Sequence, residues 1–357
     1  MPPCPHFGVC GGCTLQDQPA QAYIADKCDA LAAALRRAGF ADVPLSPAAH
    51  TGPGERRRMD LAARRTRAGV TLGLHRQRST EVVDLTTCVV LHPDLVRLLP
   101  PLRELLARLQ GFRREASVIA NLLDTGPDLL LRTDAPLQLA DRVALTDFAR
   151  AHALPRIAWA QGTGEPEPIA ILRPPTTLLS GVSVTPPPGA FLQASAKGEA
   201  AIIAAVLDAI PAKGRVAELF AGCGTLSFAL ARRMRVAAWE GDAAASAALR
   251  SAANHAGLAG RIAAKQRDLA RQPLQAKELR GFSAIVLDPP FAGAAAQVPQ
   301  IATAKRPVVV YVSCNPATLA RDARLLHQAG YRVTAATPID QFLWSTRLES
   351  VVAFAIG

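Results

Sequence analysis

A cysteine in the last fifth of the chain has the setting of a nucleophile. Cys314 lies in Tyr311-Val-Ser-Cys-Asn-Pro316, directly after the apolar run Val308–Ser313, which predicts a buried strand. A thiol there reaches the edge of a sheet, and a helix beginning near Ala317 is expected to lower its pKa. The alternative is a buried structural thiol. The Asn-Pro turn favours the nucleophile, because it directs the side chain outward.

A carboxylate stands at the start of the last predicted strand. Glu349 precedes the apolar run Val351–Ile356. It is either solvated or a general base that meets Cys314 across the sheet edge. The residues alone leave both interpretations open.

A glycine-bearing loop predicts a nucleoside site. Residues 217–227 (AELFAGCGTLS) join a predicted strand to a helix, and Gly222 and Gly224 allow the backbone to turn sharply and approach a ligand. Glu240 ends the next predicted strand, where a carboxylate accepts ribose hydroxyls. Because no third glycine of a dinucleotide fingerprint follows, an adenosine-type cofactor is favoured over a pyrophosphate one.

A further acid follows the predicted strand Ala284–Leu287. The segment Asp288-Pro-Pro-Phe291 is either a rigid turn or part of a ligand site. The second is favoured, since open α/β sheets bind ligands at the carboxyl ends of their strands.

Three cysteines cluster near the amino terminus. Cys4, Cys10 and Cys13, with Cys88 as the nearest later partner, form a four-thiol set suited to an iron–sulfur cluster or a structural zinc ion. No secretion signal is evident, so metal ligation is favoured over disulfides. The spacing differs from the CxxxCxxC of radical adenosylmethionine enzymes.

Arginines are concentrated in one short segment. Residues 55–78 carry eight arginines against Glu55 and Asp60, and their alternation about Gly69 predicts a hairpin. The surface is either a solvated strand face or a phosphate-contacting one, and its single sign favours the second. The chain has 40 basic and 29 acidic residues, a net charge of +11 that suits a polyanionic partner.

Length and patterning predict two domains. At 357 residues, half of them hydrophobic, the chain is too long for one small module and too apolar for global disorder. An amphipathic helix is predicted over residues 20–39, and prolines at 174–175 and 186–188 mark a seam. We expect residues 1–190 to form a mixed α+β domain, with helix 20–39 packing on the second domain, residues 191–357. No apolar run suits a membrane span. A cytoplasmic location and a monomer are expected.

After the seam, strands and helices alternate, which predicts a parallel, doubly wound α/β sheet. Strands are predicted at 215–220, 236–240, 284–287 and 308–313, and helices at 199–209, 225–233 and 243–256.

These motifs together resemble the RNA (uracil-5-)-methyltransferase family, whose adenosylmethionine-dependent members make 5-methyluridine in ribosomal and transfer RNA. The resemblance covers nearly the whole chain. It rests on CPHFGVCGGCTLQ (4–16), FLQAS (191–195), ELFAGCGTLSFALA (218–231), LDPP (287–290), YVSCNPATLARD (311–322) and LESV (348–351).

The resemblance implies a class I, Rossmann-like methyltransferase domain and assigns roles to individual residues. Cys314 is implied as nucleophile and Glu349 as general base. The amino-terminal cysteines, with Cys88, are implied as ligands of a [4Fe-4S] cluster. The implied S-adenosyl-L-methionine contacts, with the glycines of the loop, are Gln193, Phe220, Gly222, Gly224, Thr225, Glu240, Asp268 and Asp288. From the arginine-rich segment, we expect RNA contacts from Arg56, Arg57, Arg58, Arg64 and Arg65.

Three positions depart from the family pattern. Phe291 replaces the usual arginine of DPPR, Ser195 the usual asparagine of FxQxN, and Glu218 an aspartate. The small amino-terminal RNA-binding barrel of many members is missing ahead of Cys4, through either a truncated start or membership of the shorter branch associated with 23S ribosomal RNA. Transfer RNA is the alternative substrate. A radical methylase and an inactive cluster-containing RNA-binding protein are the rival classes.

The hypothesis for the reaction follows from the chemistry of uracil. C5 is too weak a nucleophile to accept a methyl group unaided, and addition of a thiolate to C6 activates it. Cys314 would attack C6, and Glu349 would remove the C5 proton after methylation. Asp288 or Gln193 would hydrogen-bond N3–H and O4 of a uridine that is looped or flipped out.

Overall fold

The computed structural model describes residues 2–356, and within this range the chain forms two large sheets joined by helices and short connections. The amino-terminal sheet consists of β2 (Arg58–Thr66), β3 (Gly69–His75), β4 (Val82–Asp84), β5 (Glu115–Leu123), β6 (Gly126–Thr133), β7 (Arg156–Gln161) and β8 (Glu167–Ile171). The carboxyl-terminal sheet consists of β1 (Ala49–His50), β11 (Arg215–Leu219), β12 (Arg235–Glu240), β13 (Ile262–Gln266), β14 (Ala284–Leu287), β15 (Val308–Ser313), β16 (Tyr331–Asp340) and β17 (Glu349–Ile356). A separate hairpin is made by β9 (Thr177–Leu179) and β10 (Val182–Val184).

Helices cover both sheets. They are α1 (Ala20–Arg37), α2 (Pro93–Val96), α3 (Leu99–Arg108), α4 (Leu139–Ala151), α5 (Ala196–Ala209), α6 (Thr225–Leu230), α7 (Ala243–His255), α8 (Ala276–Leu279), α9 (Val298–Ala304) and α10 (Pro316–Gln328). None within residues 2–356 is long and apolar enough to cross a membrane.

The carboxyl-terminal sheet has the strand order β1-β16-β17-β15-β14-β11-β12-β13. Strands β15, β14, β11, β12 and β13 are parallel to their neighbours in this run, which confirms the predicted doubly wound α/β fold. One strand departs from the parallel arrangement, because β17 is antiparallel to both β15 and β16. A short loop rather than a crossover helix joins β16 to β17, and a short loop permits only the antiparallel arrangement.

The order of strands reverses between β11 and β14. The chain runs from β11 outward through β12 and β13, then returns to β14 and β15 on the other side. Ligands of open α/β sheets bind in the crevice that such a reversal leaves at the carboxyl ends of the strands. This edge of the sheet is therefore the expected place for a site.

Apolar side chains cover both faces of the carboxyl-terminal sheet. One core contains Trp239, Tyr311 and Phe354, and the other contains Phe228 and Met234. Because parallel strands are buried on both faces, β14 and β15 read as continuous apolar runs, which is why the sequence revealed them. Helix α1 packs against α10 on this sheet.

The amino-terminal sheet is built around the predicted hairpin. Strands β2 and β3 pair antiparallel with Thr66 opposite Gly69, as the arginine-rich sequence indicated. A buried ion pair joins β6 to β7 of this sheet. Arg156 donates to both carboxylate oxygens of Asp128 at 2.8 and 2.7 Å and to the carbonyl of Pro186. The division between two domains near residue 190 stays a prediction.

Candidate active site

Cys314 and Glu349 lie next to each other at one edge of the carboxyl-terminal sheet. The antiparallel pairing of β15 with β17 ends at Ser313 opposite Ser350, whose hydroxyl donates to the Ser313 carbonyl at 3.1 Å. Cys314 directly follows β15, and Glu349 is the first residue of β17. The thiol is half-buried and Glu349 is only 4% exposed. Strand register therefore brings together the two residues expected to carry the chemistry.

A chain of hydrogen bonds connects Glu349 to Asp288. The Nε2 atom of Gln341 donates to Oε2 of Glu349 at 2.9 Å and to Oε1 of Gln193 at 2.8 Å. Gln193 in turn donates from Nε2 to Oδ2 of Asp288 at 3.2 Å. The Oε1 atom of Gln341 accepts from the backbone N–H of Ala194 at 3.1 Å. This series of hydrogen bonds joins Glu349 to Asp288 and is largely shielded from water, which strengthens each bond.

Gln341 is a site residue that the sequence analysis missed. It directly follows β16, which was not predicted either. The alternating apolar residues of Tyr331–Asp340 are the signal that would have placed Gln341 at the sheet edge. Its role as the link between two other site residues was not visible in any motif.

The acidic groups of the site raise one another's pKa values. Burial raises the pKa of Glu349, and the nearby Asp288 carboxylate raises it further. Burial also raises the pKa of Asp288, partly offset by the hydrogen bond from Gln193. Each carboxylate makes ionisation of the other less favourable in the same low-dielectric space.

The environment of Cys314 corrects one expectation. Burial raises the pKa of its thiol to about 11, with further contributions from Glu349 and then Asp288. Helix α10 begins two residues later, as expected, but the Asn315 side chain accepts the N–H of Ala317 at 3.0 Å. The expected lowering by this helix is therefore wrong for the protein without ligands, because desolvation and two carboxylates outweigh the helix terminus.

The glycine loop between β11 and α6 has the sharp turn that its sequence predicted. Phe220, Gly222 and Gly224 have φ values of 64°, 55° and 104°, all in the left-handed region. A Cβ atom on Gly224 would lie 2.5 Å from a methyl carbon of Leu249, so no larger residue fits there. The left-handed Phe220 is uncommon for a residue with a side chain, and such conformations concentrate at ligand sites.

Glu240 stabilises this loop. Its two carboxylate oxygens accept the backbone N–H groups of Gly222 at 2.7 Å and Asp242 at 2.8 Å. A carboxylate oxygen has a second lone pair, so both oxygens keep an acceptor site for a ribose hydroxyl.

The remaining expected cofactor contacts lie at the same edge. Thr225 begins α6, directly after the loop. Asp268 follows β13 and lies beside Gly241, next to Glu240. One oxygen of Asp268 accepts the N–H groups of Ala270 and Arg271, at 3.0 and 3.2 Å.

Two departures from the family pattern have local explanations. Ser195 is the N-cap of α5, and its hydroxyl accepts the N–H of Gly198 at 3.0 Å, a role that serine and asparagine fill equally well. Glu218 is buried and accepts a 2.5 Å hydrogen bond from the hydroxyl of Ser227. Burial raises its pKa to about 8.

The four cysteines expected as metal ligands surround one small cavity. Cys4, Cys10, Cys13 and Cys88 line it together with mostly apolar side chains, and His6, Gln16 and Thr87 also contribute. Burial and the neighbouring thiols raise the pKa of Cys13 to about 12, with Cys88 the largest contributor among the thiols. Within residues 2–356, no group of three or more such ligands is arranged to hold a single metal ion.

The cysteine segment is attached to the loop between β16 and β17. The N–H of Thr14 donates to the Trp344 carbonyl at 2.8 Å, and the N–H of Trp344 donates to the Tyr23 hydroxyl at 2.8 Å. That hydroxyl donates to Asp340 at 2.6 Å, and Lys27 forms a buried 2.5 Å ion pair with the same carboxylate. The loop carrying Gln341 and leading to Glu349 is thereby held by both the cysteine segment and α1.

Two of the arginines expected to contact RNA are engaged within the protein. Arg57 forms a 2.5 Å ion pair with Glu199 and donates to the Gln193 carbonyl at 3.0 Å. Arg65 donates to four carbonyls around the end of α3, from Leu106, Ala107, Leu109 and Phe112. Internal partners thus engage both side chains, and RNA contacts from the five arginines stay a prediction.

The other three arginines of that set are all half-buried and differ in their partners. Arg56 is half-buried and donates to the Arg58 carbonyl at 2.9 Å. The guanidinium of Arg58 lies 5.2 Å from the centre of the exposed Phe191 ring. Arg64 forms an exposed ion pair with Glu115, of the kind that contributes little to stability and dissociates readily.

The electrostatic coupling of Cys314 predicts its reactivity. Replacing Glu349 with Gln removes a neighbouring negative charge and therefore lowers the pKa of the thiol. We expect alkylation of Cys314 by iodoacetamide at about pH 9 to accelerate, on the order of severalfold, because a larger fraction of the thiol is then ionised. Peptide mass spectrometry measures the rate, and Cys28 on α1 is the internal control. An unchanged or slower rate at Cys314 would contradict the coupling.

Comparison with known proteins agrees with this architecture. Residues 185–355 match the family model described as tRNA (uracil-5-)-methyltransferase. An RNA methyltransferase of Brucella suis is 39% identical over 362 residues, covering 100% of this chain and 84% of the relative. The 23S rRNA (uracil(1939)-C(5))-methyltransferase of Yersinia enterocolitica is 34% identical, covering 99% and 81%.

A solved structure has the same fold. The Pyrococcus abyssi tRNA (uracil-54, C5)-methyltransferase, in complex with S-adenosyl-L-homocysteine, superposes with a TM-score of 0.72 over 98% of this chain and 86% of that one, at 20% identity. The fold is thus that of class I adenosylmethionine-dependent methyltransferases. From its sequence relatives and its architecture, the chain belongs to the RNA (uracil-5-)-methyltransferase family of enzymes.

Proposed function

We propose that this enzyme transfers a methyl group from S-adenosyl-L-methionine to C5 of a uridine in RNA, and that the RNA is 23S ribosomal RNA. The observation that carries the proposal is the position of Cys314 and Glu349 beside each other, with Asp288 acting on both. A nucleophile and a base at one site are what methylation at C5 requires.

The methyl acceptor is activated by the cysteine. The Cys314 thiol loses its proton to solvent, the thiolate Sγ bonds to C6, and the electrons of the C5–C6 double bond move towards O4, which makes C5 nucleophilic. When bound, S-adenosyl-L-methionine would supply the methyl group that C5 takes and would be released as S-adenosyl-L-homocysteine. Glu349 then removes the C5 proton, the double bond re-forms, and the bond from C6 to sulfur breaks with its electron pair returning to Cys314.

Gln341 and Gln193 position the groups that react and bind. The hydrogen bond from Gln341 orients the Glu349 carboxylate, and that from Gln193 orients Asp288. The raised pKa of Glu349 suits a base at neutral pH, since a group that binds protons more tightly removes them more readily. Gln193 retains one N–H for O4 of the base, and Asp288 retains an acceptor for N3–H.

The cofactor site follows from the loop between β11 and α6. Glu240 accepts the ribose hydroxyls, and the backbone at Gly222 and Gly224 approaches the ligand closely. Phe220, Thr225 and the more distant Asp268 complete the adenosine side. These assignments are supported by their common location at the switch point of the sheet.

Ribosomal RNA is favoured over transfer RNA by the sequence relatives. The Yersinia protein named for 23S rRNA is similar along 99% of this chain, whereas the structural neighbour named for tRNA shares only the fold at 20% identity. Among the arginines, direct RNA contacts are assigned to Arg58 and Arg64. Arg56 contributes indirectly, because its side chain donates to the Arg58 carbonyl.

The four-cysteine cavity is suited to a [4Fe-4S] cluster. It offers four thiols and apolar walls, and the ligands of a four-iron cluster stand farther apart than those of a single ion. Cys4, Cys10, Cys13 and Cys88 would hold the cluster. Its contribution would be structural, since the proposed reaction transfers no electrons. We further propose that residues 1–190 form the cluster and RNA-binding domain, and residues 191–357 the catalytic domain, with α1 packed on the latter.

Substitutions separate the two catalytic roles. Cys314→Ala removes the nucleophile, so methyl transfer to RNA is expected to fall below detection. Glu349→Gln leaves the C5 proton in place, so the enzyme is expected to accumulate a covalent protein–RNA adduct that resists SDS. Denaturing electrophoresis with labelled RNA measures both. Cys28→Ala is the control and retains activity. Methylation by Cys314→Ala would exclude the nucleophile, and lack of an adduct with Glu349→Gln would count against the base.

The metal content of the enzyme tests the cluster. Protein purified without oxygen is expected to contain equal amounts of iron and acid-labile sulfide, and Cys13→Ser to lose most of both. Elemental analysis and visible absorption provide the measurement, with Cys28→Ser as the control. Detection of zinc without acid-labile sulfide would contradict the cluster and indicate a structural zinc ion instead.

Nucleotide mapping identifies the substrate. In total RNA from a strain lacking this enzyme, we expect one 5-methyluridine to disappear from 23S rRNA and to return on complementation with the active enzyme but not with Cys314→Ala. Loss of the modification from tRNA instead would overturn the ribosomal assignment. Detection of 5′-deoxyadenosine during turnover would indicate radical chemistry.

A further inference from the structure

Phe291 is an exposed aromatic residue beside the nucleophile. It follows Asp288-Pro-Pro, where the family pattern has an arginine, and it is 55% exposed. A single exposed phenylalanine needs no explanation by itself. Its attachment to the site is what distinguishes this one from other exposed apolar side chains.

The backbone of Phe291 is fixed to the start of α10. Its carbonyl accepts hydrogen bonds from Nδ2 of Asn315 at 3.0 Å and from the Thr318 hydroxyl at 3.3 Å. Arg321 donates to the next carbonyl, that of Ala292, at 3.0 Å. Asn315 is the residue that follows Cys314, so the ring is carried by a loop whose position is coupled to that of the nucleophile.

A cation lies over the ring. The guanidinium of Arg347 is 5.4 Å from the ring centre of Phe291, and Arg347 is exposed and two residues before Glu349. Among residues 2–356, no carboxylate forms an ion pair with it. Arg347 also lowers the pKa of Cys314 slightly, which places its charge near the thiol.

We propose that Phe291 and Arg347 form a stacking platform for an RNA nucleobase next to the methylated uridine. Bases of single-stranded RNA are held by stacking on aromatic rings and guanidinium planes, and every base has such a face. A uridine that leaves its stack exposes its neighbours, and a rigid ring at the mouth of the site replaces the lost stacking. The unpaired positive charge of Arg347 suits RNA better than an apolar protein surface.

The inference rests on the proposed function, because it assumes that the target uridine enters at Cys314. The family pattern has an arginine at position 291, and the platform gives this enzyme an RNA contact at the same place. The aromatic ring supplies a stacking contact in place of that arginine, and Arg347 supplies the positive charge from the loop between β16 and β17.

The test combines protein and RNA changes. The substrate is a single-stranded oligoribonucleotide carrying the mapped uridine, either intact or with an abasic nucleotide on one side or the other. Steady-state methylation is measured for the wild type and for Phe291→Ala, Phe291→Trp and Phe291→Arg. Ile171→Ala, at a residue 57% exposed on β8, is the matched control.

We expect Phe291→Ala to raise KM for intact RNA about 5- to 150-fold, the range for loss of one stacked base, with KM for S-adenosyl-L-methionine unchanged. Phe291→Trp is expected to stay near the wild type and Phe291→Arg to be intermediate. For the wild type, one of the two abasic RNAs should show a similarly raised KM. For Phe291→Ala the same abasic RNA should raise KM little further, because the two changes remove the same contact.

Other outcomes overturn the platform. Equal KM values for wild type and Phe291→Ala would exclude it, and so would equal effects of the abasic position on both enzymes. A changed KM for S-adenosyl-L-methionine, with a lowered melting temperature, would mean that the loop is only structural. If the wild type methylates no RNA at all, the proposed function fails instead, so the two failures are distinguishable.

Discussion

The buried hydrogen-bond chain from Glu349 through Gln341 and Gln193 to Asp288 is the constraint on which the site depends. Its members come from three separate parts of the chain, and Gln193 and Gln341 are 148 residues apart. A buried polar group without a partner costs about 1–3 kcal/mol. Each member therefore requires the others to be in place, and the site is assembled only when the strands and the segment at residues 191–195 have packed together.

Two further attachments support this chain from outside the carboxyl-terminal sheet. Arg57 pairs with Glu199 and donates to the backbone of Gln193, which connects the amino-terminal part to the site. Thr14 donates to Trp344 in the loop that carries Gln341. The arginine-rich and cysteine-rich segments, which suggested RNA and metal binding, are thus also physically attached to the residues next to the chemistry.

The same burial that orders the site changes its acidity. Glu349, Asp288 and Cys314 all have raised pKa values because they share a partly dehydrated space in which negative charges are close. The raised pKa of Glu349, about 8, makes it a stronger base but leaves much of it protonated at neutral pH, and Cys314, at about 11, is almost wholly protonated there. A positively charged sulfonium ligand and Arg347 are the groups that would favour the thiolate.

Much of the architecture was predictable because it depends on local patterns. The parallel strands are continuous apolar runs, and the hairpin of β2 and β3 follows from alternation about Gly69. The left-handed turn at Gly224 needs a residue without a side chain. The orientation of β17 was not predictable in the same way. It depends on the length of the loop that joins β16 to β17, and β16 had not been identified.

Local chemistry thus specified the strands, the glycine turn, the cysteine set and the motif around Cys314, since each is a property of neighbouring residues. Partners distant in sequence determined the rest. Arg57, Arg58 and Arg65 lie in the same arginine-rich segment, and the sequence does not distinguish them. In the structure, Glu199 pairs with Arg57, and carbonyls at the end of α3 accept from Arg65. Gln341 and the pKa of Cys314 likewise depend on groups that only folding brings near, because hydrogen bonds and charge interactions act over a few ångströms of space rather than along the chain.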